Sequence, residues 1–117
     1  MDRNAAVEKS FEFAVRIVNL YKYLTREHSE YVLAKQLLRC GTSIGANIAE
    51  AQRGQSRADF AAKMNIALKE ANETLYWLKL LHRTDYLSDK AYKSLEKDYN
   101  AEIKYCIRFI LINATQQ

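Results

Sequence analysis

Proline is absent from this 117-residue chain and glycine occurs only three times, against roughly six and eight at average usage. Turn-rich β architecture is therefore excluded, because closely spaced reverse turns draw on these two residues. Cysteine occurs twice, as Cys40 and Cys106, with no C-x-x-C spacing. That excludes a disulfide framework and a paired-thiol metal motif, and both thiols read as small hydrophobes buried in helices. No run approaches the roughly 18 uninterrupted apolar residues of a membrane span. The first nine residues, MDRNAAVEK, carry charges where a signal peptide needs an apolar stretch, so a cytoplasmic location is expected.

What the chain does contain is helical periodicity. Alanine, leucine, lysine, glutamate and arginine are abundant and apolar residues recur at three- and four-residue spacing, which indicates an all-α fold. The first helix is expected from about Asn4 to Arg26. It carries one stripe of Val7, Phe11, Ala14, Val18 and Tyr21 beside a second of Phe13, Ile17, Leu20 and Leu24. Two stripes are more than a helix covering one side of a core requires. Ser29 is placed to cap a second helix through Leu33, Leu37, Cys40, Ile44 and Ile48 to about Arg53, with Gly54 as its stop. Ser56-Arg57-Ala58-Asp59 is a capping-box variant opening a third helix, whose core face is Phe60, Met64, Ala67, Ala71, Leu75 and Leu78. A fourth starts at Ser88, presents Leu95, Tyr99, Ile103, Cys106 and Ile110, and ends after Asn113. Short loops force consecutive helices into antiparallel neighbours, so the expected architecture is an up-down-up-down four-helix bundle, a single domain over residues 1–117.

The segment Cys40 to Gly54, C-G-T-S-I-G-A-N-I-A-E-A-Q-R-G, runs small and polar residues through a helix. Gly41, Gly45 and Ala49 recur every four residues on one face. A glycine inside a helix costs roughly 0.5–1 kcal/mol relative to alanine, so a pair one turn apart implies a close backbone approach. Three occupants of that face are compatible with the pattern: a neighbouring helix of the same subunit, another subunit, or a ligand. Ser43, Asn47 and Glu50 flank the same face and belong to whichever of these holds.

Catalytic signatures are missing. No glutamate has a histidine three residues on, which removes the paired Glu-x-x-His motif of di-metal bundles. His28 and His82 stand apart with nothing at ligand spacing. There is no nucleophile elbow, P-loop or dinucleotide glycine pattern. Glu50, Glu70 and Glu73 are the carboxylates that facing helices could pair for acid–base work; the alternatives are a polar network with Asn47 and Asn72, or salt bridges at a subunit seam. The expectation is a protein without enzymatic activity, cofactor or metal.

Charge points to an acidic partner. Eighteen lysines and arginines against fourteen acids leave a net +4, with a pI near 9.1. Lys9 and Arg16 contribute to a basic first helix, and Arg53, Arg57 and Lys63 gather around a helix start whose free N–H groups favour phosphate. These five residues are the candidate nucleic-acid contacts. Lys22-Tyr23, Tyr92-Lys93 and Lys104-Tyr105 interleave bases with aromatics that stack on unpaired nucleotides or else fill core and interface positions.

Thr42-Ser43-Ile44-Gly45-Ala46-Asn47-Ile48-Ala49-Glu50-Ala51, followed by Arg53, Ser56, Asp59-Phe60 and Ile66-Ala67, resembles the bacterial four-helix-bundle family named for reading frames inside intervening sequences of 23S ribosomal RNA genes. Ala51 stands where many members carry glycine. The resemblance implies a ring-like homopentamer, and kinship to the accessory protein of diversity-generating retroelements, a basic bundle that binds nucleic acid and a reverse transcriptase. The resulting expectation is a non-enzymatic oligomer that binds RNA or DNA through a basic surface; the alternative is a protein-interaction scaffold with no nucleic-acid role.

Overall fold

A computed structural model describes residues 3–104, 107–108 and 111–112. It contains α1 (Arg3–His28), α2 (Val32–Ala51), α3 (Arg57–Arg83) and α4 (Asp89–Asp98), the last continuing into a π-helical turn, Tyr99–Lys104. No strand occurs among the described residues. A 27-residue helix is about 40 Å long, so in a molecule of 46 × 22 × 19 Å the helices lie along the long axis.

Contacts between helices run in antiparallel register throughout. From α1 to α2, Gly41 faces Ile17 and Gly45 faces Ser10. From α2 to α3, Arg39 reaches Glu70 and Glu73 while Gly54 lies against Phe60. His82 of α3 stacks on Tyr92, and Leu68 shares a groove with Arg108 at the opposite end. Phe13 of α1 meets Tyr99 edge-on, with ring centroids 6.2 Å apart, and Tyr23 lines a cleft with Leu87 and Ser88. The bundle is up-down-up-down, with α2 and α4 each between α1 and α3.

Of the two apolar stripes on α1, the one bearing Phe13, Ile17, Leu20 and Leu24 is in the core, joined by Ala6 and Ser10. In the other stripe Val7, Ala14, Val18 and Tyr21 are half-buried and Phe11 is 65% exposed. The α2 core is Ala34, Leu37, Cys40, Gly41, Ile44, Ile48 and Ala51, with Leu33 half-buried. On α3 the expected face holds, except that Leu75 is half-buried and Thr74 lies inside, its hydroxyl donating to Glu70 O at 2.8 Å.

Helix ends differ from expectation at three places. Ser29 does not cap α2. It adopts φ 50° after α1, where the Glu30 N–H donates to Leu24 O and closes the end of α1. The start of α2 is served by the Glu30 carboxylate, which accepts from Ala34 N–H at 2.9 Å. Gly54 is not a left-handed stop, since no glycine has positive φ; α2 ends at Ala51 with Gln52 as its cap. Gly54 serves close approach instead, because a Cβ there would lie 3.1 Å from Phe60 N and 3.2 Å from Ala51 O. In α4 the π-helical turn changes the period. Tyr99 and Ile103 are buried as expected, but the face continues to Ile107; Cys106 and Ile110 lie outside the described residues. A wider turn carries the next inward position one residue further along.

Candidate nucleic-acid interface

The glycine pair packs within the subunit. A Cβ on Gly41 would stand 2.7 Å from Ile17 Cγ2, and one on Gly45 would stand 3.2 Å from the carbonyl oxygen of Ser10. Ala49, four residues further on, is exposed, because a four-residue step drifts about 40° around a helix of 3.6 residues per turn. The polar residues of this run bond to their own helix: Ser43 Oγ donates to Arg39 O at 2.7 Å, Asn47 Nδ2 to Ser43 O at 2.8 Å, and Gln52 Nε2 to Ile48 O at 2.8 Å. Glu50 is exposed. This face, then, is a close helix contact with its hydrogen bonds closed locally.

Glu70 and Glu73 hold Arg39 across the α2–α3 seam of one chain, and Glu73 also accepts from Trp77 Nε1 at 3.1 Å. The Trp77 hydrogen bond, reinforced by Arg39, keeps the Glu73 carboxyl below the usual carboxylate range. A carboxylate fixed in its ionised form by two donors suits a structural tie better than proton transfer. Burial pushes the Cys40 thiol up to about 11, so it stays protonated and unreactive at neutral pH. His28 lies beside the Tyr23 hydroxyl at 3.1 Å, and His82 is 2.6 Å from Asp89. No group of three or more metal-ligating side chains occurs among the described residues.

The basic candidates separate into two sets. Arg16 donates to Asp98 at 2.6 Å and to Ser94 O at 3.2 Å, tying α1 to α4. Lys9 lies on the same side, where burial and the neighbouring Asp98 raise the Glu102 carboxyl above its usual range and Arg16 and Lys9 only partly oppose that rise. The Arg16 charge is met by Asp98, whereas Lys9 forms no ion pair among the described residues.

The second set opens to solvent at the α2–α3 turn. Ser56 caps α3 with extended backbone (φ −149°, ψ 169°), its hydroxyl accepting from Asp59 N–H at 3.1 Å. The reciprocal bond from the Asp59 carboxylate is absent among the described residues. The Gln52, Arg53 and Gly54 N–H groups satisfy the carbonyls of Ala49, Glu50 and Ala51, so the end of α2 presents no bare acceptors beside the start of α3. Arg53 and Arg57 are exposed and Lys63 is half-buried further along α3. The structure adds Arg3, whose guanidinium sits 4.0 Å above the Phe60 ring and fixes the start of α1 against the start of α3. Arg3 and Arg57 line a cleft of about 170 Å³ with Gln52, Gly54, Gln55 and Ser56. Two guanidiniums and a helix N-terminus meet there, with Asp59 as the opposing charge. Sequence alone did not assign Arg3 to this site, because its partner Phe60 is 57 positions away and only the parallel placement of α1 and α3 joins them. Of the base–aromatic pairs, Tyr92 is buried with its hydroxyl on Glu96 at 3.0 Å, Tyr23 is exposed, and Tyr105 lies outside the described residues.

Comparison with known proteins agrees with this architecture. No curated protein matches the chain. A crystal structure of a protein of unknown function from the S23 ribosomal protein family of Bacteroides thetaiotaomicron VPI-5482 superimposes with a TM-score of 0.87 at 58% identity, covering 91% of this chain and 97% of that one. A family model described as 23S rRNA-intervening sequence protein matches residues 2–108. With that match over nearly its whole length, the chain belongs to the 23S rRNA-intervening sequence protein family.

Proposed function

We propose that this protein is a non-enzymatic oligomer that binds nucleic acid, RNA first, through phosphate contacts at the α2–α3 turn. The observation that carries this reading is the cleft between Arg3 and Arg57 at the start of α3, lined by Gly54 and Ser56. Its chemistry suits a phosphate: fixed donors, a helix N-terminus and an adjacent Arg53. Nothing in the cleft offers a pattern for reading bases, so the contacts at this turn are insensitive to sequence and strongly dependent on salt. Ring assembly, which the family resemblance implies as a homopentamer, multiplies the net +4 of one chain fivefold and turns a modest surface field into a steering one. The exposed Phe11 and Val15 on α1 supply the unpartnered apolar surface such an assembly needs.

That same apolar surface favours a second reading, a scaffold for a protein partner such as a reverse transcriptase. Mass in solution by light scattering, with and without a short mixed-sequence single-stranded RNA at low and moderate salt, separates the two. The nucleic-acid reading expects RNA uptake at low salt that is lost as salt rises, and expects Arg53→Glu with Arg57→Glu to abolish it while helicity persists. Unaltered affinity of that variant at low salt overturns the assignment of the turn; a protein indifferent to RNA leaves the scaffold reading.

A further inference from the structure

None of the acids of the last helix lines the side where its end faces Leu68 and Asn72 of α3. Asp89 pairs with His82 at 2.6 Å and Glu96 accepts from the Tyr92 hydroxyl at 3.0 Å. Asp98 holds Arg16, and Glu102 faces Lys9 and Arg16. Lys104 and Arg108, on the side toward α3, have no ion pair among the described residues. They line a groove of about 200 Å³ between α3 and the π-helical turn, with Asn72 and Asn100 as its other polar walls and Leu68, Leu75 and Tyr99 among its apolar ones. Neither carboxamide is held by a side-chain hydrogen bond among the described residues, and no carboxylate lines the groove. Tyr99, Asn100 and Lys104 of the π-helical turn form one side of the groove, and such distortions recur at functional sites.

Four features therefore converge: two uncompensated cations, two free carboxamides, an apolar floor, and a volume below the roughly 300 Å³ at which drug-sized pockets begin. Cations alone would suit any anion. Carboxamides beside them suit the donor–acceptor edge of a base, adenine above all, which asparagine pairs in bidentate fashion. We propose that the groove between α3 and the π-helical turn holds one nucleoside monophosphate unit, its phosphate on Lys104 and Arg108 and its base edge on Asn72 and Asn100. As a subsite for a strand it rests on the nucleic-acid reading above; as a site for a free nucleotide it stands without it.

The test titrates the full-length protein with adenosine monophosphate, with inorganic phosphate, and with a labelled single-stranded oligoadenylate. Three forms are compared: wild type, Lys104→Ala/Arg108→Ala, and Asn72→Ala/Asn100→Ala. All four positions are exposed, and circular dichroism verifies that each variant remains folded. The cation variant is expected to weaken oligoadenylate binding at least tenfold, and the carboxamide variant to reduce the preference for oligoadenylate over oligouridylate about fivefold. Adenosine monophosphate losing affinity in parallel identifies the free nucleotide as a ligand; loss for the oligomer alone identifies a unit within a strand. Oligomer binding abolished by Arg53→Glu/Arg57→Glu but unchanged in both groove variants overturns the groove and leaves the proposed function standing. Inorganic phosphate competing as well as the nucleotide, with the carboxamide variant silent, overturns the nucleoside assignment.

Discussion

Gly41 and Ile17 make the tightest helix contact at the glycine face, and the physics there has two opposing parts. Alanine at Gly41 would gain roughly 0.5–1 kcal/mol of helix propensity, but its Cβ would stand 2.7 Å from a branched side chain that is fully buried. Overpacking of this kind costs about 1–3 kcal/mol, so Gly41→Ala is expected to lower stability by about 1 kcal/mol in urea titration. Paired with Ile17→Ala, it should cost distinctly less than the two single changes added, because the second change vacates the space the first needs. Strict additivity would mean the contact does not govern this face. The Gly41–Gly45 spacing was legible in the sequence as a site of close approach. Which surface approaches was not, because the same two missing side chains suit a neighbouring helix, a second subunit or a ligand equally well.

At the scale of elements, starts were easier to read than ends. Ser56 was assigned as a cap and Ser88 as a helix start from sequence, and each accepts a backbone N–H three residues on, from Asp59 and Ala91, at 3.1 Å. Ser88→Ala is expected to cost about 1 kcal/mol, the usual worth of a serine cap, with urea unfolding as the readout. Ser29 should behave differently. Ser29 provides a left-handed residue after α1 and no side-chain cap for α2, so Ser29→Gly should match or exceed wild type in the same titration. A substantial loss on Ser29→Gly would show that its hydroxyl matters after all. The π-helical turn was invisible, since nothing in Tyr99-Asn100-Ala101-Glu102-Ile103-Lys104 departs from an ordinary α-helical pattern. It falls where the end of the last helix packs against both α1 and α3, and Ile107 beyond it lies in the core.

For the whole molecule the partition of charge and of apolar surface carries the functional argument. Of the basic residues of α1 that sequence offered as nucleic-acid contacts, Arg16 is met by Asp98 from the far end of the chain, and Lys9 lies on the same side as Glu102 without an ion pair among the described residues. Arg3, Arg53 and Arg57 stand at one end of the bundle, and Lys104 and Arg108 stand along α3, with no ion pair among the described residues. Phe11, Ala14, Val15 and Val18 line a shallow depression of about 330 Å³ on α1. If that surface joins copies of the chain, Phe11→Glu with Val15→Glu should reduce the mass in light scattering to that of a 13.6 kDa monomer without loss of helicity. An unchanged assembly would exclude this face as the interface.

Sequence by itself determined the helices, their order and the antiparallel bundle. Those follow from local periodicity, capping residues and the absence of proline, all of which act within a few residues of one another. It also determined that the α2–α3 turn is basic, since Arg53 and Arg57 are near neighbours in the chain. Only the tertiary structure decided that Arg3 joins that turn, that Arg16 is neutralised by Asp98, that Gly41 faces Ile17, and that Asn72 shares a groove with Lys104. Each is a meeting of residues more than twenty positions apart, and charges or faces that look free along a helix are assigned partners only when the helices pack.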